Sequence, residues 1–445
     1  MKKGKMLSLW SAALAVTVAL ALPACAGKTS ARSGVTLHGA LNCPYVSTGG
    51  GKVYLQLSIA TPEIARPVRR PMNLALVLDR SGSMGAEGKM ENAKAAVRAL
   101  INQLRADDYV SIVIYDDVVE VLRSSARVRD KAALRRLIDE IYPRGWTNLG
   151  GGLVEGFRQV ELNAREDFVN RVVLLSDGLA NRGITSPRRL REIAHEYRSE
   201  AITLTTIGVG WEFNENLMVG LSESGGGNYY FIESARDLAS VFRKEFDRIA
   251  ELVAANVVIE LELNATVRVS DVIGYEYRAE RDRCAIYLGD LYGSESREIT
   301  VELTVPPGSG SQKLLTAAFS RSSRSRLGNP TYAAVVEYTG ESNEIEEHRD
   351  MAVQADVDVA VSTRLVDRAM DALDEGKEEE AAEALRDARR QLAASPAASA
   401  GGEAVEEIKE QQVRLEEYER ELEKGKDKAK KSIQYDNYRT KKQKK

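Results

Sequence analysis

The chain has 445 residues, more than one compact domain usually holds, so two or three folded units are expected. Apolar residues at 43% are enough for real cores, and charged residues at 29% are ordinary for a soluble protein. The formal net charge of −4 names no partner and lacks the basic excess of a nucleic-acid binder.

The first segment, residues 1–24, has the layout of a targeting signal. Lys2, Lys3 and Lys5 precede an apolar stretch from Met6 to Leu22, too short to be a confident membrane span. It closes with Leu22-Pro23-Ala24-Cys25, which resembles a bacterial lipoprotein cleavage box. That resemblance implies that Cys25 is acylated and that an exported chain is held by lipid at the bacterial cell envelope, at the periplasmic face or the outer membrane. Ordinary cleavage, releasing a free exported protein, is the alternative. Cys43 and Cys284 then remain, one on each side of the central domain. A disulfide between them is open in an exported chain, although sequence separation cannot establish that the side chains meet.

Residues 25–70 are expected to hold a tether and the first strands. Val53 to Ile59 alternates like a half-buried strand, and the glycines before it, Gly49 to Gly51, form a turn rather than a phosphate loop, since no helix follows. From 71 to 250 short apolar runs alternate with amphipathic helices. Leu74 to Leu78 is continuous enough to be a strand covered on both faces, and Val110–Tyr115, Val172–Leu175, Ile202–Val209 and Tyr229–Ile232 are further strands. Helical patterns occupy 89–104, 131–141, 151–163, 187–199 and 235–250. This alternation predicts an α/β, Rossmann-like unit with a central, mostly parallel sheet and helices on both faces.

The pattern changes at 251. Val257–Leu263 and Ile299–Val305 alternate apolar with polar residues, and Leu314–Phe319 and Tyr332–Tyr338 are strands with no helices between them. Residues 251–345 are therefore expected to form an antiparallel β-sandwich. The strand near Val53 needs partners and should find them there, making the α/β unit an insertion in the sandwich. Residues 346–423 are helical, with Gly376 turning a hairpin. The end, 424–445, has ten Lys/Arg against Asp427 and Asp436, a local charge of +8, and is expected to be a solvated, disordered basic tail.

The residues that carry chemistry sit at the carboxyl ends of predicted strands, where open α/β sheets bind ligands. Asp79-Arg80-Ser81-Gly82-Ser83 follows the first strand of the α/β unit, Thr147 lies in Gly145-Trp146-Thr147-Asn148, and Asp177 follows a later strand in Ser176-Asp177-Gly178. The Asp-x-Ser-x-Ser run, the later Thr and the later Asp resemble, in order and context, the metal-ion-dependent adhesion site of the von Willebrand factor A family. The resemblance implies that Ser81, Ser83 and Thr147 ligate a divalent ion through hydroxyls and that Asp79 and Asp177 act largely through water. Hard oxygen donors of this kind suit Mg²⁺, with Mn²⁺ or Ca²⁺ as alternatives. A coordination position would stay open for an Asp or Glu carboxylate of a partner protein. Each fragment alone would pass as a turn or a helix cap; the combination makes the case.

Enzymatic readings fare poorly. His38, His195 and His348 show no paired-ligand spacing, neither serine lies in a nucleophile elbow, and Asp116-Asp117 is better read as a solvated loop than as a catalytic pair. The expectation is a non-enzymatic, lipid-anchored protein-binding module that works through its metal. The rival is an envelope assembly scaffold in which that site is vestigial and the C-terminal helices make the contacts.

Overall fold

A computed structural model of the protein describes residues 34–64, 69–86, 88–176, 180–209, 214–232, 251–320, 327–424 and 426–442. Three strands open it: β1 (Thr36–Leu41), β2 (Tyr45–Ser47) and β3 (Gly51–Ala60). The α/β unit runs β4 (Met72–Asp79), α1 (Lys89–Gln103), β5 (Tyr109–Tyr115), β6 (Val119–Arg127), α2 (Lys131–Asp139), α3 (Leu149–Glu161), β7 (Val169–Ser176), α4 (Pro187–Ser199), β8 (Ile202–Val209), α5 (Glu215–Ser224) and β9 (Gly226–Ile232). Its strands order as β6-β5-β4-β7-β8-β9, all neighbours parallel except β5 and β6. Strand β6 and helix α5 were not anticipated; the helix expected over 235–250 lies outside the described residues.

Alternation along β4 explains its unbroken apolar run. Leu74, Leu76 and Leu78 pack with Ala93, Val97 and Ile101 of α1 and Ile138 of α2, while Ala75 and Val77 pack with Phe157 of α3, Leu190 of α4 and Leu217 of α5. Both faces are covered, so every residue of β4 is buried.

After this unit come β10 (Leu252–Leu263), β11 (Arg268–Val272), β12 (Glu276–Ala279), β13 (Arg283–Tyr292), β14 (Ser296–Val305), β15 (Gly310–Phe319) and β16 (Thr331–Thr339). They form two sheets, β1-β3-β14-β11 and β12-β13-β10-β15-β16-β2, around a shared apolar core. Strand β3 pairs antiparallel with β14 from Gly51↔Val305 to Ala60↔Ser296, and β2 pairs parallel with β16. The α/β unit is thus an insertion between β3 and β10 of a sandwich. Cys43 and Cys284 do not form the disulfide considered above. Each is a buried free thiol with its own surroundings: Cys43 donates to the Ile345 carbonyl at 3.2 Å, and Cys284 faces the sandwich core, where burial pushes its pKa up to about 12.

The C-terminal part holds α6 (Ser342–Glu347), α7 (Met351–Asp374), α8 (Glu378–Ala393), α9 (Glu403–Lys424) and α10 (Lys426–Lys442). Gly376, at φ +74°, ends α7; its amide donates to the Leu373 carbonyl and the Lys377 amide to that of Ala372, a Schellman closure that folds α8 back on α7. The expected disordered tail is instead helix α10 over 426–442. Its cations find acidic partners far back in the chain: Lys431 and Glu215 at 3.3 Å, Lys442 and Glu223 at 3.4 Å. Ile433 is fully buried, and Tyr435 and Tyr438 pack against Tyr229 of β9. A local charge count cannot register such partners. No helix among the described residues is long and apolar enough to cross a membrane.

Candidate metal centre

The strand order reverses between β4 and β7, and the crevice beyond their carboxyl ends is where this topology collects ligands. Strand β4 delivers Asp79 there, fully buried. One carboxylate oxygen accepts the Ser81 amide at 2.8 Å; the other accepts Ser176 Oγ at 2.8 Å and Tyr115 OH at 3.3 Å. Three donors from three strand ends hold this carboxylate in one orientation. The bond from the Ser81 amide is an Asx-type turn that bends the chain out of the sheet and into a 3-10 turn over Gly82–Gly85. That bend brings Ser81 Oγ and Ser83 Oγ to 3.0 Å, and the Ser81 hydroxyl caps no helix.

Thr147 reaches the same place on a second loop. The Arg144 amide donates to the Arg80 carbonyl at 2.7 Å and the Gly82 amide to the Gly145 carbonyl at 3.1 Å, stitching residues 144–145 to 80–82. Gly145 sits at φ +70°, a left-handed conformation that favours glycine, and a Cβ there would also displace the Asp117 carboxylate. Beyond it the Thr147 amide donates to Asn181 Oδ1 at 2.8 Å, and the Asn181 and Arg182 amides return bonds to the Thr147 carbonyl at 3.2 Å each. Ser176, the last residue of β7, touches Asp79; Asp177 lies outside the described residues, as does Cys25.

The support beneath the two loops corrects one expectation. Asp116 is not in a solvated loop: it is 2% exposed and takes both Arg80 Nε and Arg144 Nε at 2.8 Å on one oxygen. Burial alone would raise its pKa, but the Val118 amide and the two guanidiniums outweigh that, and the net shift is downward. Arg80 also reaches Glu120 at 3.1 Å. Asn181 was not singled out from the sequence and Asp116 was misread there because neither belongs to the motif; the available signal for Asp116 was its place at a strand's carboxyl end.

The donor set fits a hard divalent cation. Adjacent oxygens in an octahedral Mg²⁺ shell with bonds of 2.0–2.1 Å lie about 2.9 Å apart, and Ser81 Oγ and Ser83 Oγ stand at 3.0 Å. No group of three His, Cys, Asp or Glu that could hold a metal ion assembles among the described residues, so the chemistry here is that of hydroxyls beside a buried carboxylate.

An open α/β sheet with an Asp-led hydroxyl cluster at its topological switch point defines a class of ligand-binding modules. Residues 73–244 match the von Willebrand factor type A domain, and the chain contains such a domain. Domains of this type are in general interaction modules rather than enzymes, and they generally bind a divalent metal at this site. Protein YfbK of Escherichia coli (strain K12) is 30% identical over 239 residues, covering 52% of this chain and 42% of that one. Inter-alpha-trypsin inhibitor heavy chain H3 of Mesocricetus auratus is 25% identical over 204 residues, 44% of this chain and 23% of that one. The chain thus spans less than half the length of these curated relatives. Among solved structures, a von Willebrand factor type A protein from Catenulispora acidiphila superposes with a TM-score of 0.71 at 17% identity, covering 94% of this chain and 99% of that one. At that identity the likeness is one of fold, and it extends to the sandwich and the C-terminal helices.

Proposed function

We propose that the protein is a divalent-cation-dependent binding module that captures a carboxylate of a partner protein, with the chain anchored at the bacterial envelope through Cys25. The observation that carries the reading is the convergence of Ser81 Oγ, Ser83 Oγ and the Thr147 loop beside buried Asp79. Ser81, Ser83 and Thr147 would hold the ion directly, with Asp79 and Asp177 behind them, and these hard oxygen donors suit Mg²⁺, with Mn²⁺ or Ca²⁺ as alternatives. When bound, the ion supplies an electrophilic centre for an Asp or Glu side chain from outside. The protein's own part is orientation. Asp79 is locked by Ser176, Tyr115 and the Ser81 amide, and Thr147 is locked by Asn181, so the oxygens need little reorganisation on binding.

Calorimetric titration of Mg²⁺ into the full chain tests this. Wild type should take up the ion and, at a free concentration near 100 times Kd, gain about 2.7 kcal/mol of stability. Ser81→Ala should show neither heat nor stabilisation while keeping the wild-type melting temperature without Mg²⁺, because that hydroxyl caps nothing. Equal Mg²⁺ responses in both proteins would rule the site out. For localisation, metabolic labelling with a fatty acid should mark wild type and leave Cys25→Ser unlabelled; labelling of neither removes the anchor.

A further inference from the structure

The metal explains why a carboxylate binds but not which one. Among the described residues seven large apolar side chains are exposed, and three of them, Val118, Tyr142 and Trp146, lie on the two loops that adjoin the Ser81 turn. Trp146 immediately precedes Thr147 and is 57% exposed, yet its surroundings are built. Its amide donates to Asp117 Oδ2 at 3.2 Å, the Arg182 guanidinium lies 5.6 Å from its ring centroid, and Arg182 is itself within 3.7 Å of Asp117 Oδ1. The Thr147–Asn181–Arg182 backbone bonds hold both loops in register. A large ring exposed to water gains the folded chain little beyond its cation–π contact, whereas an aromatic beside an Arg is the residue pair on which protein interfaces concentrate their binding energy.

We infer that Trp146 is the specificity-determining contact of this site, and that it selects an Asp-bearing segment with an aromatic or long aliphatic side chain next to the acid. The inference rests on the metal-dependent reading above. Neighbouring Cα atoms are about 3.8 Å apart in any trans chain. A partner residue flanking a carboxylate captured beside Thr147 therefore lies one chain step from the acid, as Trp146 lies one chain step from Thr147. Arg182 and Asp117 fix one side of the ring, leaving its exposed part to the guest side chain.

The test is an array of immobilised peptides in which a single Asp, set between glycines, is flanked on either side by Gly, Ser, Leu, Met, Phe or Tyr in turn, probed with the full chain in Mg²⁺ and in EDTA. Wild type should be retained by Phe-, Tyr-, Leu- and Met-flanked peptides in Mg²⁺ alone, roughly 30-fold more tightly than by the Gly-flanked peptide. Trp146→Ala should bind all of them at the Gly-flanked level, and Trp146→Phe should restore the preference. Melting temperatures of both variants near wild type confirm that the exposed ring was not holding the fold. An EDTA-sensitive wild type without side-chain preference, or a Trp146→Ala variant that keeps the preference, overturns this inference and leaves the metal reading intact. Retention that ignores EDTA, or none by any peptide, overturns both.

Discussion

Asp116 shows how a side chain outside the binding motif governs it. Its one carboxylate oxygen ties Arg80, inside the Asp-x-Ser-x-Ser run, to Arg144, on the loop that carries Thr147. Asp116→Asn leaves the 7%-exposed Arg80 with Glu120 alone and should cost about 2 kcal/mol at pH 7, read as a lower urea midpoint. The pH dependence follows from the sign of the shift. Because the folded-state pKa lies below the unfolded one, the stabilisation is complete above about pH 4 and is lost as pH falls through the lowered value. The gap between wild type and Asp116→Asn should therefore be largest near neutrality and close as acidification carries the pH down through the lowered pKa. A gap that widens in acid would contradict the assignment.

Helix α10 shows the same dependence on distant partners for a whole element. Lys426–Lys442 has few apolar residues, and its sequence alone gives little reason for it to fold. What orders it is α5 and the edge of the parallel sheet. Glu215, at the first turn of α5, is 5% exposed and receives Lys431, Glu223 near its end receives Lys442, and Gln434 donates to Asn216 at 3.0 Å between them. Ile433 joins the helical core while Tyr438 joins the core of the α/β unit, so α10 seals two layers at once. Ending the chain at Lys424 should lower stability by about 4 kcal/mol, from lost apolar burial and an unpaired buried Glu215. A truncated chain with an unchanged unfolding midpoint would show that the helix contributes nothing.

The α/β unit and the sandwich are fastened by a buried ion pair. Arg171 of β7 meets Asp290 of β13 at 2.7 Å, with side chains 2% and 5% exposed, and also donates to Thr203 Oγ1 and the Tyr292 hydroxyl. Leu252 and Tyr292 from the sandwich side join the apolar core of the α/β unit. The fastening lies by the amino-terminal ends of β7 and β8, at the opposite edge of the sheet from the metal rim. Asp290→Asn takes the carboxylate from the buried Arg171 guanidinium and should cost about 3 kcal/mol, separating one calorimetric melting transition into two. A single transition at the wild-type temperature would show that the pair does not couple the units.

Period and punctuation were enough to expect the alternating α/β unit, its insertion between strands of a sandwich and the helical hairpin at Gly376, while the metal-ligand candidates came from a motif's resemblance to a known family. Those features depend on neighbours a few residues away or on a motif with fixed order, and both are written locally. Tertiary structure alone decided that Cys43 and Cys284 stay apart, that Asp116 is buried between two arginines, that the basic C-terminal stretch is a docked helix, and that Trp146 is held exposed beside Thr147. The deciding partners stand from 28 positions away, Arg144 from Asp116, to 302, Ile345 from Cys43. Burial and charge pairing are properties of what the fold brings together, and no window along the chain contains them.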